Sequence, residues 1–127
     1  MKSSSGKMRV GMMNKGLKIY TAINLMSVLQ NTPTLVYIIT NQAFSQVKIG
    51  LTNQINRRLR ILNTGVPHRF HVYHSLSFDS RDVAKRIEQQ LHNMFDSERA
   101  PNGEFFDINP NVAREELTKL YNMENLS

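Results

Sequence analysis

Two short apolar runs on either side of a polar turn, within residues 35–52, constrain the fold of this chain more than any other segment. Runs of this length and composition predict the two strands of an antiparallel hairpin. We place the strands at 34–40 and 47–51, with 41–46 as the connecting loop. The hairpin is therefore the part of the fold from which the other elements can be placed.

The register of this hairpin would bring two reactive side chains together. Paired positions in a hairpin sum to a constant, so Ile39 would lie opposite Lys48, and Tyr37 opposite Gly50. Because side chains alternate between the faces of a sheet, all four residues would share one face. A phenol and an ammonium group would then lie beside a glycine, which leaves room for the backbone of a ligand. Gly50 is therefore a candidate substrate contact.

The rest of the sequence indicates a small α+β fold. Residues 70–78 alternate strictly between two faces, which predicts a third strand. One face of this strand would carry Phe70, Val72, His74, Leu76 and Phe78. The other expected elements are helices at 18–30, 53–63 and 80–95, a short strand at 103–108 and a helix from 109.

These elements predict a three-stranded antiparallel sheet flanked by helices. Residues 1–33 would form a basic flexible arm, disordered over 1–16, followed by the short helix. The folded domain would span 34–108, and 109–127 would be a C-terminal docking helix and tail.

Composition narrows the class of protein. A chain of 127 residues with 40% apolar content can bury one core. It contains no Cys, which excludes disulfides, thiolate zinc sites and cysteine nucleophiles and favours a reducing, cytoplasmic location. No apolar run approaches the roughly 18 residues that span a membrane, so we expect no membrane partner.

Charge is distributed unevenly along the chain. The net charge is +6, but residues 1–78 contain ten Lys and Arg and no acid, whereas residues 79–127 contain six bases and ten acids. A segment without carboxylates predicts a positive surface that contacts polyanions, of which nucleic acid is the commonest. A basic segment that serves only solubility is the alternative.

The helix at 80–95 carries a carboxylate at the edge of its apolar face. Steps of about 100° per residue place Glu88 at this edge and His92 one turn later, just beyond it. A half-buried carboxylate is costly without a cation, a metal or a hydrogen bond. Glu88 is therefore either a metal ligand or a structural residue paired with an arginine.

The helix at 53–63 is rich in arginine. Its apolar positions point inward, with Arg58 at the flank of this stripe and Arg57 and Arg60 on the far side. Arg58 is the arginine most suited to face an internal site. Arg57 and Arg60 would contact phosphates, unless they are simply solvated charges.

Tyr37 and Lys48 each have a structural explanation as well. A tyrosine in a strand is usually a packed aromatic residue. A lysine inside an apolar strand lies either at a sheet edge, where it opposes aggregation, or in a cleft that binds anions.

The segments LVYIIT, KIGLT, NRRLR, AKRIEQQLH and NGEFF, taken in this order, resemble the GIY-YIG nuclease superfamily, in particular its phage and virus-associated branch with a KIG second motif. The resemblance covers residues 34–108. Tyr37 would belong to the first motif and Lys48 with Gly50 to the second. Arg58 would be the helix arginine and Glu88 the metal-binding glutamate. The first motif lacks its glycine, and Lys48 replaces the usual second tyrosine.

This resemblance implies a metal-dependent endonuclease that hydrolyses phosphodiester bonds in DNA. Glu88 would hold one Mg²⁺ or Mn²⁺, and Arg58 would neutralise the phosphate. His92 and Glu104 also fit the KIG branch. Asn102 loosely matches the family's downstream asparagine, and its Pro-Asn-Gly setting is explained equally well as a turn. Whether Tyr37 or Lys48 serves as the base is left open by the sequence.

Two other functions are compatible with these residues. The domain could bind DNA with weak or absent turnover, or it could be a viral protein-interaction domain on the same fold. A homodimer and a protein partner are both possible. If the chain is viral, the location would be the interior of the host cell.

Overall fold

A computed structural model describes residues 33–101 and 103–126. The predicted arm and the helix at 18–30 lie outside the described residues, as does Asn102.

Four strands and three helices make up the described part of the chain. In chain order they are β1 (Thr34–Asn41), β2 (Phe44–Thr52), α1 (Ile55–Leu62), β3 (Phe70–Phe78), α2 (Arg81–Met94), β4 (Phe105–Phe106) and α3 (Pro110–Leu126). A 3₁₀ turn, Asp96–Glu98, follows α2. The predicted α+β class is confirmed.

The strands form one antiparallel sheet in the order β3-β1-β2-β4. The sheet therefore has four strands and not the expected three, because the short strand predicted at 103–108 joins it as β4. In β4, Phe105 pairs with Lys48 and Phe106 with Val47. This pairing satisfies backbone groups along the outer edge of β2 and buries Phe106.

The predicted hairpin register is confirmed at the residues of interest. Ile39 pairs with Lys48, and Tyr37 pairs with Gly50. The turn is shorter than expected, because β1 continues to Asn41 and β2 begins at Phe44 after a register shift. The Asn41 side chain stabilises this turn by accepting a hydrogen bond from the Ala43 amide at 2.9 Å.

The strict alternation predicted for β3 is wrong, because the strand contains a bulge. Ile38 pairs with His74 and Ile39 with Val72, so Tyr73 is an additional residue in β3. The bulge shifts the alternation by one residue. Phe70 consequently packs on the opposite side of the sheet from Leu76 and Phe78.

Each face of the sheet is covered by different helices. Helices α2 and α3 cover the larger core, which has Val36, Ile38, Ile87, Leu91, Phe106 and Leu117 among its buried members. Helix α1 covers a smaller cluster on the other face, in which Ile55, Leu59 and Leu62 pack against Tyr37, Ile39 and Phe70. Helix α3 packs on the same core as α2.

The start of α2 agrees with its predicted signal. The Ser80 hydroxyl accepts a hydrogen bond from the Val83 amide at 3.2 Å and caps the helix. Among the described residues, no helix is long and apolar enough to cross a membrane.

Candidate functional site

Tyr37 lies in the centre of the sheet with its ring against Gly50. Its side chain is buried, at 1% exposure. A Cβ atom at position 50 would lie 2.6 Å from Cζ of the tyrosine ring, far closer than packed atoms allow. The space over Gly50, which we predicted to accommodate the backbone of a ligand, is therefore filled by the tyrosine ring. The contact of Gly50 with substrate stays a prediction.

Lys48 is buried beside Tyr37 on the same strand pair. It does not lie at a sheet edge, because β2 runs between β1 and β4 at this point. Its ammonium group forms an ion pair with Glu104 and lies 5.4 Å from the ring centroid of Phe105. Of the two explanations for Lys48, the edge position is wrong, and the lysine is held in place by an acid and an aromatic ring.

Glu88 and His92 lie one turn apart on α2, both largely buried, with exposures of 13% and 14%. Their side chains are 4.0 Å apart. The Nε2 atom of His92 lies 2.8 Å from the carbonyl oxygen of Ile49, so this histidine links α2 to β2. Glu88 thus lies beside a histidine, and among the described residues it forms no ion pair with the arginine that its structural explanation required.

Burial raises the pKa of the Glu88 carboxyl above its usual range, His92 lowers it, and Glu104 raises it further. A carboxylate that is poorly solvated and lies near a second acid gains from a nearby cation. Glu88 is therefore electrostatically suited to bind one.

Arg58, on α1, influences the pKa of Tyr37 through its charge. Burial raises the pKa of Tyr37 to about 12, and the charge of Arg58 partly opposes this shift. Glu104 and Glu88 raise the same pKa. The charges of Arg58, Glu88 and Glu104 thus all act on the pKa of Tyr37, although these three residues come from α1, from α2 and from the segment before β4.

Arg57 and Arg60 lie on the exposed surface of α1, as does Arg58. Within residues 33–101 and 103–126, none of these three arginines forms an ion pair. Their charges are thus available to a ligand, although their role as substrate contacts stays a prediction.

The donor set at Glu88 suits only some metals. Among the described residues, no group of three or more His, Cys, Asp or Glu is arranged to hold a metal ion. A site of that kind would be needed for zinc. Mg²⁺ keeps several waters and accepts one protein carboxylate together with substrate oxygens, so a single glutamate fits Mg²⁺ or Mn²⁺.

Three sets of contacts in the site were not predicted. Glu104 pairs with Lys48, and the Ile49 carbonyl contacts His92. Arg99 contributes a third, because it donates hydrogen bonds to the carbonyls of Gly103 and His92 at 2.9 and 3.3 Å. Arg99 thereby connects the end of α2 to the segment that carries Glu104.

Comparison with protein families shows the family to which the chain belongs. The sequence profile of the T5orf172 domain matches residues 34–121, which include every described element apart from the end of α3. The chain belongs to the T5orf172 domain family. The site described above therefore lies entirely within the T5orf172 domain.

One relative comes from a virus. The chain is 33% identical over 98 residues to "Uncharacterized protein 460R" of Invertebrate iridescent virus 6, an alignment that covers 68% of this chain and 40% of that protein. The chain thus spans less than half the length of this relative. No solved structure matches the chain significantly. The T5orf172 domain is a phage and virus-associated domain, and it is consistent with a nuclease-like or DNA-binding module.

Proposed function

We propose that this T5orf172 domain is a metal-dependent endonuclease of the GIY-YIG type that hydrolyses phosphodiester bonds in DNA. One observation carries the proposal. Arg58 on α1 and Glu88 on α2 belong to helices that cover opposite faces of the sheet, yet the charges of both shift the pKa of the Tyr37 phenol. A cation able to bind phosphate and a carboxylate able to hold a metal, both acting electrostatically on one phenol, would meet the requirements of phosphodiester hydrolysis.

Each residue has a role that follows from its surroundings. Arg58 is exposed and carries forked donors that can stabilise the negative charge on the phosphate oxygens. Glu88 would hold Mg²⁺ or Mn²⁺, which would supply an activated water and offset charge on the leaving group. His92 fixes the position of α2 against β2 through the Ile49 carbonyl, and it lies beside Glu88.

The pKa of Tyr37 bears on its role. With a pKa of about 12, the phenol remains protonated at neutral pH. A protonated phenol donates a hydrogen bond, so Tyr37 would orient water or phosphate rather than remove a proton. Lys48 would bind the phosphate once the substrate competes with Glu104 for its ammonium group.

A nicking assay tests the proposal. Supercoiled plasmid and single-stranded DNA are incubated with the protein and Mg²⁺ or Mn²⁺, and the wild type is compared with Glu88→Ala and Arg58→Ala. We expect cleavage to fall by about 100-fold or more in both variants, while DNA binding largely survives.

Matched controls are available at exposed residues outside the proposed site. Glu115→Ala on α3 and Arg81→Ala at the start of α2 remove an exposed acid and an exposed base, and both should cleave like the wild type. Equal nicking by the wild type and Glu88→Ala would indicate a contaminating nuclease and would contradict the catalytic role.

The structure also favours a second candidate, a DNA-binding module with weak or absent turnover. Lys48 forms an ion pair with Glu104, and burial raises the pKa of Tyr37 to about 12, which disfavours either residue as a base. This candidate predicts salt-sensitive DNA binding without metal-dependent nicking. A homodimer and a protein partner stay predictions.

A further inference from the structure

Three phenylalanine rings form a cluster at the turn end of the hairpin, on the sheet face that carries Lys48. Phe44, Phe70 and Phe105 come from three different strands, and each pair of ring centroids is separated by 5.8 to 6.1 Å. Phe70 is nearly buried, whereas Phe44 is 41% exposed. The cluster thus presents an aromatic surface to solvent.

Polar contacts hold this cluster in a fixed position. The Asn63 side chain accepts a hydrogen bond from the Phe70 amide at 2.6 Å and donates one to the Phe70 carbonyl at 3.2 Å. The Asn41 amide group donates to the carbonyl of His68 at 2.9 Å, and Asn41 also closes the turn that precedes Phe44. An aromatic surface held in place in this way loses little entropy when a ligand stacks on it.

The charges around the cluster suit a polyanion. The described residues before position 79 contain no acid, and Arg69, which precedes Phe70, is exposed. Lys48 lies 5.4 Å from the Phe105 ring, so the cluster adjoins the proposed catalytic site. Two acids lie near the cluster: Glu104 is paired with Lys48, and Asp107 accepts a hydrogen bond from the Ser45 hydroxyl at 3.4 Å.

We propose that Phe44, supported by Phe70 and Phe105, stacks on an unpaired base of a single-stranded nucleic acid segment next to the catalytic site. The aromatic surface supplies the π face that every base accepts, and the basic surroundings supply contacts for its phosphates. The inference rests on the proposed function in taking a nucleic acid as partner. It specifies that a segment with unpaired bases is preferred over intact duplex.

A single tryptophan can report this stacking directly, because the chain contains no Trp. In Phe44→Trp, titration with an oligo-dT strand should quench the indole fluorescence, whereas a duplex of equal length should not. The matched control is Leu126→Trp, because Leu126 is 86% exposed and lies at the C-terminal end of α3, which covers the other face of the sheet. Its fluorescence should not respond.

A second set of variants measures the contribution to affinity. Phe44→Ala should weaken binding of the single strand by about 5- to 100-fold, and Phe44→Tyr should restore it. Oligo-dT and oligo-rU strands compared in parallel tell whether the unpaired base comes from DNA or RNA, and stacking on either supports the proposal. All titrations contain EDTA, so they do not depend on turnover.

The outcomes separate this proposal from the nuclease function. Single-strand binding, measured by fluorescence anisotropy, without quenching in Phe44→Trp or a loss of affinity in Phe44→Ala would overturn the stacking surface alone. Equal responses of Phe44→Trp to single strand and duplex would also overturn it. Failure to bind any nucleic acid would overturn both this proposal and the proposed function.

Discussion

The two faces of the sheet differ in what their side chains do. The face covered by α2 and α3 buries a continuous apolar core that contains Leu91 and Leu117. The face covered by α1 buries only a small cluster, and it also carries Tyr37 and the buried Lys48. One face therefore supplies most of the stability, and the other carries the polar groups of the proposed site.

This division shows how so small a domain can keep a buried lysine. Burial of a charge is costly unless a partner compensates it, and Glu104 compensates Lys48. The remaining cost is met by apolar burial on the opposite face. Glu88 and His92 lie on α2, which packs on the apolar face; His92 contacts the Ile49 carbonyl of β2, and the charge of Glu88 raises the pKa of Tyr37.

The largest effect on stability is expected when a buried leucine is truncated to alanine, and the two faces of the sheet should differ in this effect. Leu91→Ala should lower the free energy of unfolding by about 2–5 kcal/mol, because it leaves a cavity in a fully buried core. Leu59→Ala on α1 should cost only about 1–2 kcal/mol, because this residue is partly exposed. Urea unfolding measures both values. Equal costs would contradict the assignment of stability to one face.

A smaller loss of stability is expected when the contact between Tyr37 and Gly50 is disturbed. Gly50→Ala should destabilise the domain by about 1–3 kcal/mol, because the added methyl group collides with the tyrosine ring. In a Tyr37→Leu background, the same substitution should cost much less. A double-mutant cycle by urea unfolding measures this coupling, and additive effects would mean that the ring does not occupy the space over Gly50.

The hairpin face could be predicted from the sequence because it depends on local rules. Period-two alternation and turn residues fix the register that pairs Tyr37 with Gly50 and Ile39 with Lys48. The helices were also predictable, since their apolar stripes and the Ser80 cap are local signals. The confirmed elements are those whose cause lies within a few residues.

The remaining features depend on contacts between distant segments. Glu104 pairs with Lys48 across 56 positions, and His92 contacts the Ile49 carbonyl across 43. The bulge at Tyr73 arises from the pairing of β3 with β1, which the alternation within β3 does not reveal. For these distant contacts the sequence offers one signal. A buried ammonium group requires a partner, so a buried Lys48 predicts an acid close to it.

The charge difference between the two halves of the chain predicts unequal effects on DNA binding. Arg57→Gln should weaken binding a few-fold and reduce the slope of log affinity against log salt by about 0.7–0.9, because one phosphate contact is lost. Lys119→Gln on α3 should leave this slope unchanged, because Lys119 lies in the acidic half and pairs with Glu116. Fluorescence anisotropy at several salt concentrations measures the slopes, and equal slopes for the two variants would contradict a basic contact surface on α1.

The smallest effect is a pH dependence on the apolar face. Burial lowers the pKa of His74 below its usual value near 6.5, Arg114 lowers it further, and the buried Nε2 atom has no hydrogen-bond partner among the described residues. Below about pH 6.5 the unfolded chain takes up a proton that the folded state resists, so the free energy of unfolding decreases as the pH falls.

His74→Leu removes this proton uptake and provides the measurement. Between about pH 7.5 and about pH 5.5, the melting temperature of the wild type should fall more than that of the variant. The raised pKa of Glu88 acts in the opposite direction, because protonation of a buried carboxylate stabilises the folded state, but it is present in both proteins and cancels in the difference. Parallel pH curves for the two proteins would mean that His74 is solvated or partnered in the folded state. The apolar face would then tolerate a buried charge, which we expect only of the face covered by α1.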